Sequence, residues 1–374
     1  MIIIIMASSQ YCEVYIYIMF FTRALKKSSF IRKVAPSTVT FTIKKSSIIM
    51  TALLLILSLS GCSDIKSVTN ANSKTTRTGF AFDTVISITL YGTEDESVLD
   101  GCMELAEKYE NLFSATIEGS DIWNINHSDG NSVIVDRETI ELLQTALYYA
   151  ELSQGAFDPA LGTVIDLWDY NSEDPTVPEE TDIESALEHI DYTDIQLDTD
   201  TLEVTLSDPE LLVNLGAIAK GYIADRMRDY ISSQNVSSAI INLGGNVYAL
   251  GSKPDGSDFT VGVQKPFDST GSAITSLSIS DSSVVTSGPY ERYFEQDGVI
   301  YHHILDPATG YPSDSGLLSV TILSTDSVDG DALSTTCFVL GEEKGLELIE
   351  SLPDIEALFI TSDYELVYTS GFPR

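Results

Sequence analysis

The chain of 374 residues is 43% hydrophobic and 20% charged, and its formal net charge is −36. Ten of its twenty Lys and Arg residues precede Thr78, so residues 79–374 carry 10 basic against 54 acidic side chains. Contacts to nucleic-acid phosphates need clustered Lys and Arg, so no nucleic-acid partner is expected. An acidic surface is compatible with a divalent metal, although a solvated acidic face is the commoner explanation.

The first 62 residues have the pattern of a secretory signal. Lysines at 44 and 45 precede the apolar run 52–57, and Leu-Ser-Gly-Cys ends the segment at Cys62. A basic start, a short apolar run and small residues are typical of such signals. The last four residues resemble a bacterial lipobox, in which Cys62 is lipid-modified, so we expect a lipid anchor on the extracytoplasmic face of a bacterial membrane. An uncleaved signal anchor is the alternative, disfavoured because the apolar run is short for a membrane span.

The remaining chain divides into a tether and a body. Residues 63–78 are rich in Ser, Thr, Asn and Lys without periodicity, which predicts a flexible tether. Residues 79–374 contain no Pro/Gly-rich linker, and their strand and helix signals do not alternate strictly, which favours an α+β fold of mixed sheets and packed helices. The predicted helices include 98–113, 137–150, 217–230, 331–339 and 344–352, and the predicted strands include 82–91, 211–215, 239–243 and 318–323.

The four cysteines, Cys12, Cys62, Cys102 and Cys337, have no CxxC spacing, which argues against structural zinc. Cys102 and Cys337 lie in helix-like apolar patterns, where reduced core residues are expected. A disulfide between these two cysteines remains the alternative.

The segment NLGAIAKGY, residues 214–222, places a predicted helix start after Gly216. The free amides of a helix N-terminus suit a phosphate, and Lys220 would add a cation one turn into the helix. The P-loop pattern is absent. Taken alone, the segment is only a weak signal for phosphate binding, and a close contact between a helix and a strand is the default explanation.

Two glycine turns follow, NLGGN at 242–246 and TSGPY at 286–290. The first either lets the backbone approach a flat or phosphorylated ligand or forms a simple tight turn. The second leads into a predicted hairpin. No GxSxG pattern is present, so Ser287 is not expected to be a hydrolase nucleophile.

The segment DGDALSTT, residues 329–336, places Asp331 and Thr335 four residues apart on a predicted helix. Both side-chain oxygens then lie on one face. A carboxylate and a hydroxyl suit Mg²⁺ together with water and substrate phosphate. Taken alone, however, these residues are better explained by Asp331 as a helix cap and Thr335 in the core.

The stretch YHHILDPATGYP, residues 301–312, holds two of the four histidines ahead of an Asp-Pro step. Pro307 pushes Asp306 into an extended conformation, and Gly310 allows a sharp turn. Taken alone, this stretch is typical of a hairpin corner with one buried histidine.

In this order, LGAIAKGY, NLGGN, TSGPYERYF, HHILDPATGYP and DALSTTCFVLG resemble the ApbE family, the FAD:protein FMN transferases, and FDTVISITLYG and AFDPALGTVIDLW fit its upstream pattern. The resemblance covers residues 79–374 and implies one T-fold-like catalytic body of two subdomains. It implies binding of FAD and of a divalent metal, usually Mg²⁺. It also implies transfer of FMN to a Thr or Ser hydroxyl of a target protein, with release of AMP. Family targets include membrane-bound redox subunits outside the cytoplasm.

By position, the resemblance implies metal ligands at Ala217 (through its carbonyl), Asp331 and Thr335. It implies FAD contacts at Phe82, Ala156, Phe157, Asp158, Asn214, Lys220 and Leu305. His303 matches the histidine that precedes the family's Ile/Leu-Asp-Pro-x-Thr-Gly. It is assigned as the general base, because neutral imidazole near pH 7 suits proton removal. Asp306 either orients that imidazole or stabilises the turn, and His302 is expected to be structural.

Two departures from the family pattern are visible. Asn214 stands where many members carry Asp, which removes one negative charge near the ligand. The segment 112–116 lacks the aromatic residue expected soon after Ser114 for flavin stacking.

Two other functions would keep the same flavin pocket. A Mg²⁺-dependent FAD pyrophosphatase would use water in place of the acceptor hydroxyl. A non-enzymatic FAD-binding lipoprotein would need neither His303 nor the metal pair, so their joint presence argues against it.

Overall fold

The structure, a computed structural model, describes residues 73–268 and 271–373. Its strands are β1 (Lys74–Ala81), β2 (Thr84–Tyr91), β3 (Val133–Ile134), β4 (Ile195–Asp198), β5 (Glu203–Leu206), β6 (Ala239–Leu243), β7 (Asn246–Leu250), β8 (Phe259–Gln264), β9 (Ala273–Ile279), β10 (Ser282–Ser287), β11 (Tyr293–Gln296), β12 (Val299–His302), β13 (Leu317–Ser324), β14 (Glu356–Thr361) and β15 (Leu366–Tyr368). Its helices are α1 (Glu96–Phe113), α2 (Asp121–Asn126), α3 (Arg137–Leu152), α4 (Gly162–Trp168), α5 (Glu180–Leu187), α6 (Ala219–Ser233) and α7 (Ser327–Glu350).

An eight-stranded sheet with the order β1-β2-β6-β7-β10-β13-β14-β15 forms the framework, and smaller sheets pair β11 with β12, β8 with β9, and β5 with both β3 and β4. Every pairing between these strands is antiparallel. Helices pack with this sheet, so the predicted α+β fold is confirmed.

The two faces of the large sheet carry separate hydrophobic clusters, because successive side chains of a strand point to opposite faces. In β14, Ala357 and Phe359 join the main core with residues of α1, α6 and α7. Leu358 and Ile360 join a second cluster with Phe259 and other residues of β8 and β9. The helices therefore cover one face of the sheet, and the β8–β9 hairpin lies on the other.

A third cluster lies beneath the histidine stretch. Trp168 of α4 is fully buried, and Leu305 and residues of α5 are buried with it. Rings from β11 and β12 surround Trp168 at centroid distances of 6.2 Å for Phe294 and 5.7 Å for Tyr301. This apolar base is what supports the end of β12.

Several predicted boundaries differ from the structure. Residues 74–78, predicted as tether, belong to β1 because they pair with β2. The part of the tether before residue 73 lies outside the described residues, as does the predicted signal with Cys62. Residues 211–215, predicted as a strand, form only one bridge, between Leu161 and Leu212. The side chain of Asn126 bonds both the amide and the carbonyl of Val213 and takes the place of a neighbouring strand. The two helices predicted after residue 331 form one element with a non-helical kink at Gly341.

Cys102 and Cys337 are buried free thiols, so the disulfide alternative is wrong. Within residues 73–268 and 271–373, no helix combines the length and the hydropathy of a membrane span.

Candidate functional site

Helices α6 and α7 approach closely where the predicted metal residues lie. Asp331, which is 4% exposed, accepts a hydrogen bond from the main-chain amide of Gly221 at 2.8 Å. A Cβ added to Gly221 would stand 2.4 Å from the carbonyl oxygen of Ser327 and 2.6 Å from the Cα of Val328. Only glycine allows this approach, so the residue after Lys220 fixes how near the two helices come.

This contact frees the carbonyl of Ala217. In a regular helix the Gly221 amide would donate to the carbonyl four residues earlier, but here it donates to the second carboxylate oxygen of Asp331. No hydrogen bond from a described residue to the Ala217 carbonyl is recorded. The other oxygen of Asp331 lies 3.8 Å from the ammonium of Lys220, so it already faces a cation.

Thr335 lies one turn further along α7, at the end of β10. Its hydroxyl is 3.2 Å from the hydroxyl of Ser287, which also lies 2.8 Å from that of Ser334. The end of β10 therefore lies beside Thr335. The sequence TSGPY had indicated only a turn at this position.

These oxygens fit a hard divalent cation. The predicted set contains one carboxylate, one hydroxyl and one carbonyl, and Mg²⁺ is commonly held by one or two carboxylates together with water and substrate phosphate. Within the described ranges no cluster of three or more His, Cys, Asp or Glu forms an all-protein metal cage. A set of one carboxylate, one hydroxyl and one carbonyl would leave positions on the cation for water and a phosphorylated ligand.

The start of α6 is less open to phosphate than the sequence predicts. The Gly216 amide donates to the side chain of Asn214, the Ala219 amide to the carbonyl of Leu215, and the Gly221 amide to Asp331. The helix itself begins at Ala219, two residues later than predicted. Lys220 remains the cation of this turn, and its ammonium bonds the Gly216 carbonyl at 3.0 Å.

His303 is held by the backbone of the preceding strand pair. Its Nδ1 lies 3.1 Å from the carbonyl oxygen of Arg292, which also accepts the His303 amide. A carbonyl only accepts, so Nδ1 carries the hydrogen and Nε2 keeps its lone pair. Burial lowers the pKa of His303 to about 4, and the charges of Arg292 and Lys220 act in the same direction. The imidazole is therefore neutral at pH 7, with both cations near enough to affect it.

His302 is structural, as predicted. It is 8% exposed, its Nε2 lies 3.2 Å from the carbonyl oxygen of Ser313, and its Nδ1 accepts from the Ile304 amide. Its ring meets Phe338 of α7 edge-on, with centroids 5.7 Å apart. The histidine strand is thus packed directly against the helix that carries Asp331.

Asp306 stabilises the turn. Its carboxylate accepts from the Ala308 amide at 2.9 Å, and its carbonyl accepts from Thr309 and Gly310. No hydrogen bond between Asp306 and His303 is recorded in the described part of the chain, so the alternative of an imidazole-orienting carboxylate, and with it a catalytic assignment, lacks support. Leu305 is buried and bridges to Pro312, which leaves its backbone rather than its side chain for a ligand.

The segment 156–158 lies against the start of the Asn214 turn, because the Asn214 amide donates to the carbonyl of Pro159 at 2.8 Å. Burial raises the pKa of Asp158 to about 6, and the carboxylate accepts from the Ala160 amide. Phe157 is buried in the main core, while Ala156 is partly exposed. Two of the predicted FAD segments are therefore neighbours.

Phe82 occupies the tip of the β1–β2 hairpin. Phe82 and Asp83 both have positive φ, 55° and 56°, as the two central residues of a type I′ turn require. The Phe82 amide donates to Glu110 of α1 at 2.8 Å, which fixes the tip. Asp83 lies 3.4 Å from Asn171, whose neighbour Tyr170 donates to the His302 carbonyl at 2.7 Å. The tip is thereby connected to the histidine strand.

Sequence reasoning missed the residues that hold these groups in place. Tyr170 contacts a carbonyl 132 residues away, and Arg292 holds His303 through its main-chain carbonyl, so neither contact left a local signal. Asp225 is different, because a charged residue among the apolar positions of a predicted helix is itself a signal. It is 3% exposed in the structure.

Comparison with known proteins places this geometry in a family. A family model described as "ApbE family" matches residues 82–359. The chain is 43% identical over 286 residues to a FAD:protein FMN transferase of Klebsiella pneumoniae (strain 342), covering 76% of this chain and 88% of the relative. It is 37% identical over 292 residues to one of Treponema pallidum (strain Nichols), covering 74% and 81%.

Two solved structures share the fold. The ApbE protein of Thermotoga maritima superposes with a TM-score of 0.74 at 33% identity, over 80% of this chain and 97% of that one. The flavin transferase ApbE of Vibrio cholerae superposes with a TM-score of 0.72 at 25% identity, over 80% and 98%. The protein described here therefore belongs to the ApbE family.

Proposed function

We propose that this protein is a transferase that moves the FMN portion of FAD to a Thr or Ser hydroxyl of a second protein and releases AMP. The observation that carries the proposal is that the buried carboxylate of Asp331 lies beside the ammonium of Lys220, whose charge also acts on His303, an imidazole with an unprotonated Nε2. The two relatives described above are both named FAD:protein FMN transferase, which supports transfer of FMN from FAD to a protein.

The chemistry follows from the charges. The acceptor oxygen forms a bond to the phosphorus next to the ribityl chain, and the bond from that phosphorus to the bridging oxygen breaks. The bridging oxygen leaves with AMP, and the acceptor proton passes to Nε2 of His303. Lys220 would offset the negative charge of the pyrophosphate.

Ala217, Asp331 and Thr335 would hold Mg²⁺ through a carbonyl, a carboxylate and a hydroxyl. When bound, the ion would supply charge neutralisation at the pyrophosphate. Phe82, residues 156–158, Asn214 and the Leu305 backbone are proposed to position FAD. The lipid anchor at Cys62 would place the reaction on the extracytoplasmic face of a bacterial membrane, where the acceptors are proposed to be redox proteins.

One incubation separates this function from its rivals. The full chain is mixed with FAD and Mg²⁺, with or without an acceptor flavoprotein subunit, and AMP release and in-gel flavin fluorescence are followed. A fluorescent acceptor band with acceptor-dependent AMP supports transfer. AMP without acceptor supports the pyrophosphatase, and absence of AMP in both cases overturns both enzyme functions.

The metal assignment has its own test. Asp331→Asn keeps the shape of the side chain but removes the charge, so it is expected to raise the Mg²⁺ concentration needed for half-maximal transfer by tenfold or more. Asp314→Asn, at a residue outside the predicted set, serves as the matched control. An unchanged Mg²⁺ requirement in Asp331→Asn would refute the ligand assignment.

A further inference from the structure

Helix α7 begins on a buried carboxylate that belongs to α6. One oxygen of Asp225 accepts the main-chain amide of Ser327 at 2.9 Å, and the other accepts that of Val328 at 2.9 Å. The residue before α7, Asp326, makes no side-chain cap of its own. Asp225 therefore does for α7 what an N-cap residue does for its own helix, but from a different helix.

The carboxylate is itself held in place. Arg228, one turn along α6, lies 3.0 Å from Asp225 and 2.6 Å from Asp326. Asp225 is almost fully buried, and breaking such a buried pair by removing one partner is costly because a charge is left uncompensated. The arginine thus connects both sides of the α6–α7 junction.

Ser327 is also fixed from the sheet. Its hydroxyl donates to the side chain of Asn246 at 2.6 Å and lies 2.7 Å from the hydroxyl of Ser283. These residues belong to β7 and β10, the strands next to the metal helix. The first residue of α7 is therefore held by contacts from α6 and from two strands.

We infer that Asp225 is a positioning residue for the divalent metal site: by holding the first two amides of α7, it sets where Asp331 and Thr335 stand relative to Ala217 and Lys220. Asp331 lies one helical turn after Ser327, and Ala217 and Lys220 lie at the start of the helix that carries Asp225. The two halves of the ligand set come from two helices, so their separation depends on the contacts that join those helices.

Among the described residues, three hydrogen-bonded contacts join α6 to the start of α7: Asp225 with the amides of 327 and 328, Arg228 with Asp326, and the Gly221 amide with Asp331. Asp225 is the contact that fixes the first two amides of α7, one turn before Asp331. Both oxygens of Asp225 are occupied by amides, so it acts through the position of Asp331 and not as a ligand. Outer partners that orient metal ligands typically change metal affinity 10–100-fold when mutated.

The inference rests on the metal site of the proposed function, and its test reads metal binding instead of transfer. Mn²⁺ is titrated into the full chain and followed by electron paramagnetic resonance, first without FAD and then with saturating FAD. Asp225→Asn, which retains one acceptor oxygen but loses the charge, is expected to raise the Kd for Mn²⁺ about 10–100-fold. FAD affinity measured without metal is expected to stay within about twofold.

The matched control is Asp95→Asn, which weakens the N-cap of α1, where the side chain accepts from Ser97. It should leave the Mn²⁺ affinity unchanged. The comparison then distinguishes the loss of a helix cap from the displacement of Asp331 and Thr335. Asp225→Glu restores the carboxylate and should recover part of the lost affinity. If Asp225→Asn does not fold, as judged by near-UV circular dichroism, Ser327→Ala replaces it. Ser327→Ala keeps the amide but removes the sheet contacts, and a weaker loss of Mn²⁺ affinity is expected.

This inference alone is overturned if the wild-type chain binds Mn²⁺ and the folded Asp225→Asn variant binds it with unchanged affinity. The same holds for Ser327→Ala where that variant is used. A wild-type chain that binds no Mn²⁺ under either condition overturns the metal site and this inference together. Labelling of the acceptor is measured separately from Mn²⁺ binding. A chain that binds Mn²⁺ but does not label the acceptor would contradict the transferase function and leave this inference intact.

Discussion

The proposed active site has two halves, a metal half and a base half, that are stabilised in opposite ways. The metal half, around Lys220, Asp225, Ser327 and Asp331, is held by buried charges and hydrogen bonds across the α6–α7 junction. The base half, around His303, is held by main-chain carbonyls and by the ring cluster of Trp168 and its neighbours. They meet where His302 packs on Phe338.

The difference reflects what each half has to hold. A cation needs negative oxygens at fixed separations, and only a network of charged and polar groups fixes them inside a core. A base needs an imidazole that stays neutral, and apolar surroundings supply that by disfavouring the charged form. Mutations should therefore affect the halves through different observables.

The largest effect is expected from His303→Ala. Loss of the base should lower the transfer rate by roughly 10²–10⁴-fold, while FAD binding persists because the ring is not a predicted flavin contact. Rates are followed by acceptor fluorescence, and FAD affinity by quenching of flavin fluorescence. His127→Asn is the matched control, an exposed histidine stacked on Trp123. A fully active His303→Ala enzyme would remove this residue as the base.

The next largest effect is expected from Gly221→Ala. The added methyl would meet the backbone of α7 at 2.4–2.6 Å, so the helices must separate. Overpacking of this kind costs typically about 1–3 kcal/mol, and here it should also weaken Mn²⁺ binding. Thermal denaturation and the Mn²⁺ titration are the measurements, with Ser233→Ala at the far end of α6 as control. A variant with wild-type stability would show that the junction can relax.

A smaller effect is expected from Tyr170→Phe, which removes the hydroxyl that bonds the His302 carbonyl but keeps the ring in its cluster. The loss should be about 1 kcal/mol of unfolding free energy, with a few-fold slower transfer and unchanged Mn²⁺ affinity. Tyr311→Phe, in the same cluster, is the control. Weakened metal binding in Tyr170→Phe would mean that the halves are not independent.

The smallest effect is expected from pH. The pKa of His303 is lowered to about 4 by burial, so its base form persists from pH 7.5 to 5.5, and single-turnover transfer should not lose activity near pH 6.5 on its account. The unfolded chain, with an ordinary imidazole, binds more protons between pH 6.5 and 4, so this residue makes the fold less stable as pH falls through that window. An acid limb near pH 6.5 that disappears in His303→Ala would contradict the low pKa.

The proposed site residues could be named from the sequence because the family motifs are short and keep their order. Helical spacing alone put Asp331 and Thr335 on one face, and the histidine stretch alone indicated a hairpin corner, so the roles of these residues came from the resemblance. The sequence overestimated the number of amides at the start of α6 that are free for a phosphate, because Asn214 and Asp331 already accept two of them. The strand predicted at 211–215 was wrong because Asn126, distant in sequence, satisfies that backbone instead.

The sequence by itself determined the family, the α+β class and the residue types that can hold a cation or take a proton, because these follow from local pattern and side-chain chemistry. Tertiary structure alone decided three further points: that the Gly221 amide turns from Ala217 to Asp331, that Asp306 serves its turn, and that Asp225 starts a helix 102 residues later. Each depends on which backbone groups are left unpaired after packing. Contacts between segments far apart in the chain decide which backbone groups these are.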